Sequence, residues 1–107
     1  MKGLGDLSNI VRHAKQLQQQ FERAQAEIAQ MKAEATAGGG MVKATVNGRG
    51  ELIDLAIERE VVDPGDVEML VDLIIAAVQE AQKRAQALAQ EKLGPMADGL
   101  RGLGLAG

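Results

Sequence analysis

From Leu7 onward the apolar positions Leu7, Ile10, Ala14, Leu17, Phe21, Ala24, Ile28 and Met31 recur at alternating spacings of 3 and 4, a heptad seam. The residues between them are mostly Gln, Glu, Ala, Lys and Arg, which favour helix. The pattern predicts a first helix over about 6–34, roughly 43 Å long at about 1.5 Å per residue. That is longer than a chain of 107 residues can cover from within, so part of the seam must project or meet a partner. In the middle of the chain the period changes to 2. Val42, Ala44 and Val46 share one face, and Ile53, Leu55 and Ile57 share another. A Gly/Asn-rich joint separates the two runs, so the stretch 41–58 reads as a β-hairpin. A four-residue loop, Asn47 to Gly50, brings the two apolar sets together and pairs Ala44 with Ile53 and Val42 with Leu55. Thr36 to Gly39 can add a short edge strand in front of it.

A second helix is expected over about 64–93. Asp63 is a suitable N-cap, Pro64 fits the first helical position, and Asp66 and Glu68 suit the positive helix end. Gly94 and Pro95 supply a stop. Val67, Leu70, Val71, Ile74, Val78, Ala81, Ala85, Leu88 and Ala89 form one face, and Met69, Leu73, Ile75 and Ala77 carry it almost all round in the first half. A helix apolar on most sides is buried on most sides. Its first half is therefore expected to cover the hairpin and to pack on a second subunit. Leu17, Phe21, Met69, Leu70, Leu73, Ile74 and Ile75 are the candidate dimer contacts. Residues 1–95 form one domain on this reading, and 96–107, rich in Gly, Leu and Ala, a flexible tail.

Composition narrows the chemistry. Phe21 is the one aromatic residue and cysteine is absent, so the core is aliphatic and neither disulfides nor thiolate metal sites are available. The opening residues lack an apolar stretch of signal-peptide length, and Leu73 to Val78 is too short to span a bilayer. A cytoplasmic protein without a membrane role is expected. The single histidine, His13, flanks the helical seam far from any nucleophile. Gly38-Gly39-Gly40 lacks the Gly-Lys-Ser/Thr that completes a phosphate-binding loop. No catalytic, cofactor or metal site is expected, and no small-molecule substrate.

Net charge is −3, which does not advertise a polyanion partner, but the distribution is uneven. Residues 1–21 hold Lys2, Arg12 and Lys15 against Asp6. Residues 61–80 carry Asp63, Asp66, Glu68, Asp72 and Glu80 with no base. Residues 81–107 hold Lys83, Arg84, Lys92 and Arg101 against Glu91 and Asp98. The ends are basic and the centre is acidic.

Three stretches in this order resemble the YbaB/EbfC family of bacterial nucleoid-associated proteins. They are the opening helix from Asn9 to Gln18, the run Ala35 to Val42 with Val46-Asn47-Gly48, and the stretch Glu60 to Ala77 with its Met69-Leu70-Val71-Asp72-Leu73 core. Gln79 stands where the family usually shows Asn, and the ending Gly102 to Leu105 follows the family's only loosely. The resemblance implies an α+β fold, an α-β-β-β-α chain with long terminal helices flanking a small antiparallel sheet, in an intertwined homodimer whose helices project as arms. It also implies binding of double-stranded DNA and a part in chromosome organisation in the nucleoid. Charge then selects the DNA-contact candidates: Lys2, Arg12, Lys15, Arg23, Lys83, Arg84 and Lys92, with Arg101 in support. The alternative is a helical scaffold or adaptor that binds another protein through the acidic patch and the Gln-rich seam.

Overall fold

In the computed structural model the backbone is described from Lys2 to Gly102 and the side chains from Leu7 to Met96. The order is α1 (Lys2–Gln30), β1 (Lys32–Ala37), β2 (Val42–Asn47), β3 (Leu52–Ile57), a 3-10 turn (Arg59–Val61) and α2 (Val67–Gly102). The three strands form one antiparallel sheet in the order β1-β2-β3. The α+β architecture implied by the resemblance is the one observed.

One face of the sheet is covered and it is the alternating apolar one. Ala33 stands opposite Val46, Ala35 opposite Ala44 and Ala37 opposite Val42. On these lie Ala77, Ala81 and Ala85, one stripe of α2 at a spacing of four. Small side chains on both surfaces let helix and sheet approach closely, and Val42 and Val46 fill the space between. Leu70, Leu73, Ile74, Val78 and Leu88 border this core, and buried Val61 ties the link between β3 and α2 to it.

The first helix ends at Gln30, short of the expected Glu34, because Lys32 to Glu34 open β1. Continued as helix, this stretch would lose the ladder to β2; as strand it buries Ala33 and Ala35 under α2. Tertiary cover outweighs the local helix preference.

The hairpin register also differs from expectation. Ala44 pairs with Leu55 and Val42 with Ile57, in place of Ile53 and Leu55. Asn47 closes a three-residue loop: its N–H donates to the Glu51 carbonyl (3.0 Å), and the Gly50 N–H donates back to the Asn47 carbonyl (2.9 Å). Gly50 adopts φ 82°, the left-handed residue that ends such a loop. Continued evenly, that closure would put Asp54 on the apolar face. A bulge corrects it: β3 has one extra residue, Ile53, between Leu52 opposite Val46 and Asp54 opposite Thr45. Leu55 and Ile57 thereby join Ala44 and Val42.

The second helix starts three residues after the expected position. Asp63 caps a turn instead, its Oδ1 accepting from the Gly65 N–H (2.9 Å) while the Asp66 N–H donates to the Asp63 carbonyl (2.9 Å). Asp66 is the N-cap, its Oδ1 accepting from the Met69 N–H (3.2 Å). At the other end α2 runs through Gly94 and Pro95 to Gly102. Proline removes one N–H donor, but a helix already seven turns long adds further residues without a new nucleation step. The expected tail therefore begins as helix, and 103–107 lie outside the described residues.

Candidate nucleic-acid interface

Only the last turns of α1 are packed on the body: Ala24 and Ile28 are buried, while Leu7, Ile10, Val11 and Phe21 are exposed. Leu17, Gln18 and Phe21 meet Met96 around a small apolar cleft, and Glu27 faces Lys92 across the helix pair (Nζ to Oε2, 2.6 Å). Positions further back on α1 thus meet positions further on in α2, so the two helices run antiparallel as an arm. The molecule measures 79 × 23 × 16 Å.

The seam has one side, and Arg12, Lys15 and Arg23 fall on the other, since helical residues off the 3-and-4 spacing turn away from it. All three are exposed, and no described carboxylate lies within ion-pair distance of them. Lys83 is likewise exposed on the side of α2 away from the sheet. Arg84 and Lys92 are placed differently. The Arg84 Nη1 donates to the Glu34 carbonyl on the outer edge of β1 (2.7 Å), and its Nε lies 3.8 Å from Glu80 Oε1. Arg84 braces α2 against the sheet edge, and Lys92 ties α2 to α1. The side chains of Lys2 and Arg101 lie outside the described residues.

The dimer candidates separate in the same way. Leu70, Leu73 and Ile74 pack against the chain's own sheet. Met69 (42 % exposed) and Ile75 (47 %) point away from it, together with Val67 (56 %) and Val71 (45 %). Leu17 and Phe21 lie in the arm.

Four basic residues escape selection by charge runs, Lys32, Lys43, Arg49 and Arg59, and of these Arg49 stands alone between two glycines. Its backbone N–H donates to Asn47 Oδ1 (3.0 Å), which also accepts from the Glu51 N–H (3.0 Å). The Glu51 carboxylate is held by Asn47 Nδ2 (3.1 Å), and the Gln82 amide donates to the Gly50 carbonyl (3.1 Å). Gly48 rests on the last turns of α1: a methyl there would lie 2.8 Å from the Ile28 carbonyl carbon and closer still to its oxygen. Three anchors thus hold the loop at the root of the arm.

A fold of this kind, with an elongated basic arm and no catalytic constellation among the described residues, can be placed by comparison. The sequence profile of the YbaB/EbfC DNA-binding family matches residues 2–100. The chain belongs to that family. Proteins named nucleoid-associated protein from Streptomyces avermitilis and Rhodococcus erythropolis are 50 % and 51 % identical to this YbaB/EbfC chain over 105 residues, in both cases 98 % of this chain and 93 % of the relative. The crystal structure of an uncharacterized protein from Helicobacter pylori superposes with a TM-score of 0.73 at 22 % identity, covering 83 % of this chain and 94 % of that one, a likeness of fold. No helix among the described residues is long and apolar enough to cross a membrane.

Proposed function

We propose that this YbaB/EbfC protein is a non-catalytic, nucleoid-associated protein that binds double-stranded DNA as a homodimer and helps to organise the chromosome. The observation that carries this reading is the arm: Arg12, Lys15 and Arg23 line the side of α1 away from its seam, exposed and without a described acidic partner. Lys and Arg so placed displace condensed counterions from phosphates and fix a protein on a duplex with little regard to sequence. Net charge of −3 argues against binding over the whole surface, and the acids from Asp63 to Asp72 keep the start of α2 away from DNA. A two-fold dimer doubles the basic set and spaces it on two arms. The exposed stripe Val67, Val71 and Ile75 supports self-association, because an apolar stripe of this length invites cover. With Phe21 as the single aromatic, base stacking has little surface and duplex is preferred to single strand.

The test is fluorescence anisotropy with duplex DNA at about 50 and about 200 mM salt. Steep weakening with salt is expected. Replacing Arg12, Lys15 and Arg23 together by alanine should weaken binding across sequences and flatten the salt dependence while leaving the oligomeric state unchanged. Wild-type protein that fails to bind at low salt would turn the assignment to a protein-binding adaptor.

A further inference from the structure

The loop around Arg49 borders an open cleft of about 330 Å³ lined by Gly48, Arg49, Gly50, Gln82, Gln86 and Ala89. Three of these residues are glycine or alanine, so the floor is low and ligand atoms can come close to the backbone. Gln82 is spent on the Gly50 carbonyl, and Gln86, one turn further along α2, is exposed with an amide that can donate into the cleft. Arg49 is exposed, no described carboxylate lies within ion-pair distance of it, and the neighbouring Glu51 carboxylate is held by Asn47.

Most exposed arginines lose side-chain and backbone freedom when they bind an anion. Here the backbone share is already lost. The Asn47 side chain, Gln82 and Ile28 hold the loop from three directions, and none of these contacts uses the guanidinium. A planar fork of N–H donors on a fixed loop beside a shallow, amide-lined cleft suits the tetrahedral oxygens of a phosphodiester. The cleft lies where the arm meets the body, since Gly48 of its lining rests on Ile28 and Ala89 precedes Lys92 by a single helical turn.

We propose that the Gly48–Gly50 loop is a second, rigid DNA contact in which Arg49 grips a backbone phosphate and Gln86 donates beside it. This rests on the duplex-binding reading above. The arm supplies contacts along α1, and the loop sets where along the duplex the body comes to rest.

The experiment uses the full chain, duplex DNA and anisotropy over a salt series, with wild type, Arg49→Ala, Arg49→Lys and Arg59→Ala. Arg59 is an exposed arginine on the 3-10 turn, outside the cleft, and controls for net charge. One phosphate contact contributes about 0.9 to the salt slope, which at about 0.1 M salt is roughly eightfold in affinity. Arg49→Ala is expected to weaken binding by about that factor per engaged loop and to lower the slope by about one. Arg49→Lys should keep the slope, and Arg59→Ala should match wild type. Among the described residues no hydrogen bond or ion pair uses the Arg49 or Arg59 side chain, so all variants should unfold at the wild-type midpoint. Wild-type binding with an unchanged Arg49→Ala variant, or an equal loss in Arg59→Ala, would overturn the loop contact alone. Absence of wild-type binding would overturn it together with the function on which it rests.

Discussion

Replacing Gly48 by alanine should loosen the root of the arm. The added methyl meets backbone on the last turns of α1, 2.8 Å from the Ile28 carbonyl carbon and closer to the oxygen, where ordinary carbon–oxygen contacts are well over 3 Å. No rotamer change relieves a clash with a carbonyl, so either the hairpin loop or the end of α1 must move. Overpacking of this kind costs about 1–3 kcal/mol, and the backbone partner puts it near the top. If α1 swings away instead, Ile28 loses its burial, at about 1.5–3 kcal/mol. The two routes agree. Against them, alanine reduces unfolded-state entropy and returns about 0.4–1 kcal/mol. The net expectation is a loss of about 2 kcal/mol, or roughly 8–16 °C in melting temperature for a domain of this size. Thermal and urea unfolding followed by circular dichroism, at one fixed protomer concentration, measures it. Gly39→Ala is the control: φ is 69° but nothing lies within 4 Å of the added methyl, so only the left-handed backbone cost of about 1–2 kcal/mol applies. A Gly48→Ala variant within about 0.5 kcal/mol of wild type, the range of ordinary surface substitutions, would refute the close approach.

Two further outcomes follow from other elements. Asp66→Ala removes the bond to the Met69 N–H and should cost about 1 kcal/mol, a drop of about 4–8 °C, read in the same melts; an unchanged midpoint would return the cap to Asp63. Ile75→Glu places a charge in the exposed stripe of α2 and should leave a folded chain of half the sedimenting mass at micromolar concentration. A wild-type protein that is already monomeric there would remove the homodimer from the proposal.

Several parts of the site were legible in the residue pattern, and others were not. The basic side of α1 follows from helical spacing, because residues off the seam must turn from it. That Arg84 and Lys92 are engaged does not follow: their partners, the Glu34 carbonyl and Glu27, lie 50 and 65 positions away. Arg49 gave no signal beyond a lone charge in a turn. Its interest lies in what holds the loop, and Gln82 and Ile28 are remote in sequence.

The amino-acid sequence by itself determined the order of elements and most of the inward-facing residues, since the periods of 3.6 and 2 are properties of neighbouring positions; Ile53, Val67 and Val71, expected inward, are exposed. It also placed the turn at Asn47-Gly48, whereas Gly38 and Gly39, expected in an edge strand from Thr36, form the turn between β1 and β2. Only the tertiary structure decided where α1 gives way to β1, which register the hairpin takes, which aspartate caps α2, and how far α2 continues past Pro95. Each of these is a competition between local options that differ by about a kilocalorie. Burial under a remote element, as of Ala33 and Ala35 beneath α2, is larger than that difference and settles the choice.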